Sequence, residues 1–231
     1  MSLFNLVVAQ NVLAFENVKW PDVWQATLET LQMTVVSTLY VFVIGLGLGL
    51  LLYVTDKNRA WENKYIHAIL SFIVDIFRSI PFVILIVLLV PLTKVLVGTM
   101  LGPKGAIPAL IISAAPFYAR LVSIALNEIP VGVVEAAESM GASTVKIIWK
   151  VLIPEAMPAL LSGITVTAIA IIGATAAAGV IGSGGLGTLA YLIGYTRNKQ
   201  DIVLVATMMI LILVFVIQFT GDYLTKRVDK R

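Results

Sequence analysis

"EAAESMGASTVKIIWKVLIPEA" (residues 135–156) is a polar interruption between two long apolar stretches of the chain. Pro130, just ahead of it, suits a helix start because the N–H that proline lacks would be unpaired in a first turn. Gly141 stands where a helix would close with a left-handed residue, a conformation that costs other residues roughly 1–2 kcal/mol. The stretch therefore predicts two short helices joined by a glycine turn.

The second short helix is expected to be capped by Ser143 and to be limited by Pro154 and Pro158. Its predicted apolar face consists of Val145, Ile148, Trp149 and Leu152. An amphipathic helix lying on lipid is the alternative, but such helices usually carry Lys and Arg on the polar face. This segment begins with two glutamates instead. Docking of a partner protein fits it better.

The composition of the remaining chain is typical of an integral membrane protein. Of 231 residues, 59% are hydrophobic and only 13% are charged, and the mean hydropathy is +0.99. A hydrocarbon core of about 30 Å needs roughly 20 apolar residues per helix. We predict an all-α membrane protein with a single transmembrane domain over residues 1–231 and a cytoplasmic helix-turn-helix loop at about 127–156. The five predicted spans are about 28–54, 66–92, 106–126, 157–181 and 202–221.

The distribution of basic residues predicts the orientation of these spans. If the loop is cytoplasmic, that side holds nine basic residues against five outside, with two more inside spans. The nine are Lys57, Arg59, Lys64, Lys146, Lys150, Lys226, Arg227, Lys230 and Arg231. We therefore expect an outside amino terminus and an inside carboxyl terminus. Residues 1–20 lack the basic region of a secretory signal and are treated as part of the mature protein.

The composition also argues against several functional classes. The chain has no cysteine and one histidine, His67, so thiolate sites, histidine metal sites and nucleophilic triads are not expected. A net charge of +3 is too small to indicate nucleic-acid binding. A secondary transporter would usually carry several intramembrane acidic or histidine residues, and only Asp75 is a candidate. No enzymatic activity, cofactor or metal is expected on this chain.

Charged residues inside the second predicted span are candidates for a pathway or for helix pairing. Asp75 and Arg78 lie three residues apart on one helix face, and Pro81 is expected to bend the helix beside them. Two interpretations fit this pair of charges. Either they line a transport pathway or pair with another helix inside the membrane, or they lie near the cytoplasmic headgroups. Arg120 in the third span is expected to be an anchor that extends to the headgroups.

Small residues recur in the fourth predicted span at Ala170, Ala174 and Ala178, with Gly173 nearby. Such stripes let helices approach closely in lipid. Static packing and a dimer interface beside a central pathway both fit this pattern.

Several stretches resemble one family of transport proteins. Glu135, Ala136, Ala137 and Gly141, with Pro154 in register, resemble the EAA loop of ABC-transporter permeases, although the usual leucine before the proline is Ile153. Residues 77–99, 114–143, 181–195 and 216–228 resemble the methionine-import permeases. Glycine-betaine and polar amino-acid permeases share some of these sequence motifs and are the alternative families.

The resemblance implies a type I ABC-importer permease of the cell membrane, a homodimer of five-helix subunits with two cytoplasmic ATPases. An external binding protein or lipoprotein would deliver L-methionine, and in many members D-methionine. ATP and Mg would be used by the partner ATPase and not by this chain. The residues expected to couple to the ATPase are Glu135, Ala136, Ala137, Glu138, Met140, Gly141, Ile148 and Pro154.

The glycine run "GSGGLG" (182–187) suggests a phosphate loop only superficially. It lacks the lysine that ends such a loop, and no strand is predicted before it. We expect a flexible outer turn there, which with residues 93–105 would receive the binding protein.

Overall fold

The computed structural model describes residues 15–229, so the expectations for residues 1–14, Lys230 and Arg231 lie outside the described part. Regular structure between residues 15 and 229 is helical throughout. Helices α1 to α9 cover, in chain order, Trp20–Thr55, Lys64–Ser79, Phe82–Leu88, Val90–Val97, Gly102–Asn127, Val131–Ser139, Thr144–Gly179, Gly185–Tyr195 and Gln200–Val228. Helices α7 and α8 contain wider, π-helical stretches at Ile148–Leu152 and Leu189–Tyr195.

Four helices, α1, α5, α7 and α9, are long and apolar enough to cross a membrane. The pair α2 and α3 makes a fifth candidate if the two are counted as one bent span. Helix α1 begins at Trp20 rather than near residue 28, and its 36 residues extend about 54 Å, more than the hydrocarbon core requires. The all-α membrane architecture predicted from the sequence is confirmed.

The second predicted span, residues 66–92, is broken in the structure. Helix α2 ends at Ser79, and α3 begins at Phe82 with a bend of 105° between them. Pro81 explains the break, because proline has no N–H to donate and disfavours helical geometry at the residue before it. Ile80 accordingly has extended dihedral angles, φ −80° and ψ 123°.

The chain divides into two compact units whose boundaries fall within the long helices and at the α2–α3 break. The first unit lies within Met1–Ser37, Pro81–Ile111 and Ala168–Val216, and the second within Thr38–Ile80, Ile112–Thr167 and Ile217–Arg231. The first unit has a core in which α1, α8 and α9 meet. Its buried members are Val23, Ala26, Leu186, Leu189, Ile202, Val205 and Ala206.

In the second unit, α1 and α5 pack closely through two glycines of α1. A Cβ atom added to Gly45 would lie 2.8 Å from the Tyr118 ring, and one added to Gly49 would lie 2.5 Å from Val122 Cβ. Gly47, between them, has open space at its Cα. The backbones of the two helices can approach because residues 45 and 49 carry no side chain, which is the usual means of tight packing in lipid.

We predict that Gly49→Ala lowers the stability of the protein by about 1–3 kcal/mol, because its methyl group overlaps Val122. Gly47→Ala is the matched control in the same helix and should be neutral or slightly stabilising. Thermal unfolding of both variants in detergent measures the difference. Equal melting temperatures for the two variants would contradict this packing.

Candidate functional site

We call residues 130–154 the connecting segment. Its first half is helix α6. Pro130 precedes its first residue, as predicted. Ala137 is buried, whereas Glu135, Ala136 and Glu138 are exposed. The small side chain of Ala137 thus packs against the rest of the unit, while the carboxylates of Glu135 and Glu138 stay accessible.

The turn after α6 has the predicted left-handed residue. Gly141 has φ +76°, and its N–H donates to the Glu138 carbonyl at 2.8 Å. The Ala142 N–H donates to the Ala137 carbonyl at 3.1 Å. These two bonds satisfy carbonyls that the helix end would otherwise leave unpaired. A side chain at residue 141 would meet open space, so the restriction there is the backbone angle and not crowding.

The second half of the connecting segment departs from the prediction in two ways. Ser143 occupies the cap position of α7, but its side chain makes no capping hydrogen bond; its carbonyl accepts from Ile147 N–H at 3.0 Å instead. Pro154 and Pro158 do not stop the helix, which continues to Gly179. A π-helical turn over Ile148–Leu152 precedes Pro154. Its wider backbone accommodates a residue that cannot donate a hydrogen bond.

The predicted apolar face of the second half divides into two sides. Ile147, Ile148 and Leu152 are buried. Val145 and Trp149 are 55% and 63% exposed, and Met140 beside the turn is 82% exposed. The segment is therefore anchored by one apolar side and presents another outward. We call Met140, Val145 and Trp149 the outer patch.

A cleft of about 140 Å³ lies between the connecting segment and the residues that follow α1. Arg59 borders it with Glu135 and Glu138. The Arg59 guanidinium sits 4.3 Å from the centre of the Tyr53 ring and donates to Asn127 Oδ1 at 2.9 Å. Arg59 thereby ties three parts of the second unit together, a role that no local sequence pattern indicates.

The charged residues of the second predicted span form a three-residue cluster with Arg120. Asp75 Oδ1 accepts from Arg120 Nη2 at 2.8 Å and from Arg78 Nη1 at 3.4 Å. Arg120, expected to extend alone to the headgroups, is instead bound to a carboxylate of another helix. Pro81 lies just beyond the cluster, at the helix break.

The small residues of α7 are not equivalent. Ala178 is fully buried within the chain, Ala174 is half-buried, and Gly173 is exposed with open space at its Cα. Ala178 is therefore unsuited to contact a second copy. Gly173 and Ala174 remain available for such a contact.

The glycine run before α8 is packed rather than an exposed turn. Ser183, Gly185, Leu186 and Gly187 are buried. The Gly185 N–H donates to Glu29 Oε2 at 2.7 Å, and the Leu186 N–H donates to Thr30 Oγ1 at 2.9 Å. Two side chains of α1 thus cap the amino end of α8. Sequence inspection missed this pairing because its partners are 156 residues apart.

No group of three or more histidine and acidic side chains between residues 15 and 229 is placed to hold a metal ion. Asp75, Glu135 and Glu138 are the carboxylates that the sequence singled out. The first is paired with arginines and the others are exposed on α6.

Comparison with known proteins gives a consistent result. Residues 42–231 match the family described as binding-protein-dependent transport system inner membrane component. The chain is 61% identical over 217 residues to the Bacillus subtilis (strain 168) methionine import system permease protein MetP, covering 94% of this chain and 98% of that protein. It is 46% identical over 215 residues to the Pasteurella multocida (strain Pm70) probable D-methionine transport system permease protein MetI, covering 91% and 99%.

A solved structure has the same fold. It is described as an inward-facing conformation of the MetNI methionine ABC transporter, and the matched chain has a TM-score of 0.89 at 44% identity. The match covers 92% of this chain and 100% of that chain.

We predict that Thr30→Val lowers stability by about 1–3 kcal/mol, because the buried Leu186 N–H loses its acceptor. Thr30→Ser keeps the hydroxyl and should retain most of the stability. Thr27→Val is a second control, since the Thr27 hydroxyl only donates to a carbonyl of its own helix. Thermal unfolding in detergent compares the three; a Thr30→Val protein as stable as Thr30→Ser would show that this bond contributes nothing.

Proposed function

This chain belongs to the family of binding-protein-dependent transport system inner membrane components, and from that premise we propose that it is the methionine-translocating permease of an ATP-driven importer. The observation that carries the proposal is 61% identity to a methionine import permease over nearly the whole of both chains. The fold is that of a type I ABC-importer permease. L-methionine is the proposed substrate, and D-methionine a second one, in keeping with the name of the P. multocida relative.

The proposed assembly is a homodimer of this chain with two cytoplasmic ATPases and an external methionine-binding protein or lipoprotein. ATP and Mg belong to the ATPase in this assembly, and this chain contributes no nucleotide site. The name of the MetNI neighbour, a methionine ABC transporter, supports an ATPase partner. Gly173 and Ala174, accessible and small, are candidate dimer contacts beside the pathway.

The connecting segment is the proposed seat of the ATPase. The outer patch offers apolar side chains that stabilise a complex by about 1.5–3 kcal/mol each when fully buried. Exposed Glu135 and Glu138 border the same segment and suit basic groups of a partner. Buried Ala137 and Ile148 hold this surface in place, Gly141 forms its turn, and exposed Ala136 and Pro154 lie beside it.

The orientation follows from the charge bias, with the connecting segment on the cytoplasmic side and the amino terminus outside. Lys57, Arg59 and Lys64 lie in or next to the loop that borders the connecting segment, and Lys226 and Arg227 end α9. The exposed apolar side chains of the long helices, such as Leu39 and Val43, suit a lipid environment.

We predict that Gly141→Val weakens binding of the ATPase about 5- to 30-fold. The left-handed angle costs a non-glycine residue roughly 1–2 kcal/mol and shifts the outer patch when it relaxes. Gly132→Val is the matched control, because Gly132 lies in α6 with open space at its Cα and no positive φ. Copurification of the ATPase with each variant from membranes measures the effect. Equal recovery with both variants would refute the docking role of the turn.

Uptake of radiolabelled L-methionine tests the transport function directly. A methionine auxotroph without an importer of its own should accumulate the label when this chain is expressed with its ATPase and binding protein. Unlabelled D-methionine should compete, whereas glycine betaine and polar amino acids should not. If glycine betaine or a polar amino acid competes with the label and D-methionine does not, methionine is not the substrate of this permease.

A further inference from the structure

The Asp75 cluster has an unusual charge balance for a membrane helix. One carboxylate oxygen receives two guanidinium groups, Arg120 at 2.8 Å and Arg78 at 3.4 Å. Two positive charges and one negative charge leave a net positive charge. The longer of the two contacts is weak, so the Arg78 guanidinium keeps most of its hydrogen-bonding capacity.

The cluster is open on one side. The side chains of Asp75, Arg78 and Arg120 are 54%, 36% and 27% exposed. Asp75 and Arg78 continue a polar face of α2 that includes His67 and Ser71, whose side chains are hydrogen-bonded to each other at 3.3 Å. The opposite face is apolar and exposed, with Ile69, Phe72 and Ile76. Helix α2 is therefore amphipathic, with one face suited to lipid and the other suited to water or a polar ligand.

Arg120 lies away from the end of its helix, whereas Arg78 is the next-to-last residue of α2, at the break before α3. Arg120 precedes the end of α5 at Asn127 by seven residues, about 10 Å along the axis. Its guanidinium points to Asp75 and is held there by a short hydrogen bond. Charges held at such positions usually face a partner or a water-filled cavity.

We propose that Asp75, Arg78 and Arg120 form a transit site for the charged backbone of a zwitterionic amino acid. The α-carboxylate of the substrate pairs with the guanidinium groups, and its α-ammonium pairs with Asp75. Planar guanidinium forks suit a carboxylate, which they bind with paired hydrogen bonds. The proposal rests on the proposed function and names the chemistry of its pathway.

The existing ion pairs imply a weak site. The arginines are already paired with Asp75, so the carboxylate of the substrate must take the place of the Asp75 carboxylate. The net free energy of binding is therefore small. Weak binding suits a transport pathway, because the substrate must bind strongly enough to enter it and weakly enough to leave it. The three charged groups pair with the α-carboxylate and the α-ammonium, so the proposed site recognises the charged backbone of the amino acid and not the thioether.

Transport per ATP in proteoliposomes tests the proposal. The complete complex with its binding protein is reconstituted with Arg78→Gln or Arg120→Gln, and methionine uptake and ATP hydrolysis are measured together. We expect uptake per ATP to fall at least tenfold while binding-protein-stimulated hydrolysis stays within about twofold. Lys57→Gln, an exposed loop residue, is the charge control and should change neither. Unchanged uptake per ATP in both arginine variants, or an equal loss of uptake and hydrolysis, would overturn the proposal.

Photolabelling separates a binding role from a merely structural one. A methionine analogue with a diazirine in its side chain and both charged groups intact should label α2 or α5 near the cluster during turnover. Arg78→Gln should abolish that label, and liposomes without anionic lipid should retain it. Labelling confined to other helices, or dependence of the arginine effect on anionic lipid, would assign the cluster to another role.

The outcomes distinguish this proposal from the proposed function. If the unsubstituted complex transports another amino acid and the arginine variants fail to, methionine is the wrong substrate and the transit site stands. If methionine is transported equally well by the variants, only the transit site is wrong. Transport of a solute without a carboxylate would contradict both.

Discussion

Residue 141 must adopt a left-handed backbone conformation, and the surface of the connecting segment depends on that requirement. The turn at Gly141 directs α6 and α7 so that Ala137, Ile147 and Ile148 are buried while Met140 and Trp149 are exposed. A glycine reaches this conformation at little energetic cost, whereas another residue would relax toward a different angle. The relative direction of the two short helices therefore depends on the backbone conformation of this one residue.

Helix α7 joins this local shape to a candidate membrane span. The helix that carries Val145 and Trp149 continues through a π-helical turn into the apolar span. These two residues of the outer patch and this candidate span therefore belong to one continuous helix. The Arg59 contacts with Tyr53 and Asn127 join α1 and α5 to this region as well. Under the proposed function, these contacts would link the seat of the ATPase to α1, α5 and α7.

Local signals predicted the first helix and the turn of the connecting segment, whereas contacts distant in sequence were not predicted. Pro130 and Gly141 have strong backbone preferences, so the first helix and the turn could be read from the chain. Pro154 misled because a π-helical turn accommodates it, whereas the bend expected at Pro81 is present and is sharp enough to break the span. The Arg120–Asp75 pair and the capping of α8 by Glu29 and Thr30 join remote positions. Only a folded chain reveals which distant polar groups meet. The exposure of Glu135, Met140 and Trp149 likewise required the packing of the whole second unit.

Under the proposed function, this chain moves its substrate only when an ATPase acts through the connecting segment. The most direct measurement is accumulation of methionine in proteoliposomes that contain the purified permease, with or without its ATPase, and external binding protein. We expect accumulation against a gradient only when the ATPase is present and ATP is supplied on its side of the membrane. Equal accumulation by the permease alone, or with the ATPase but without ATP, would contradict it.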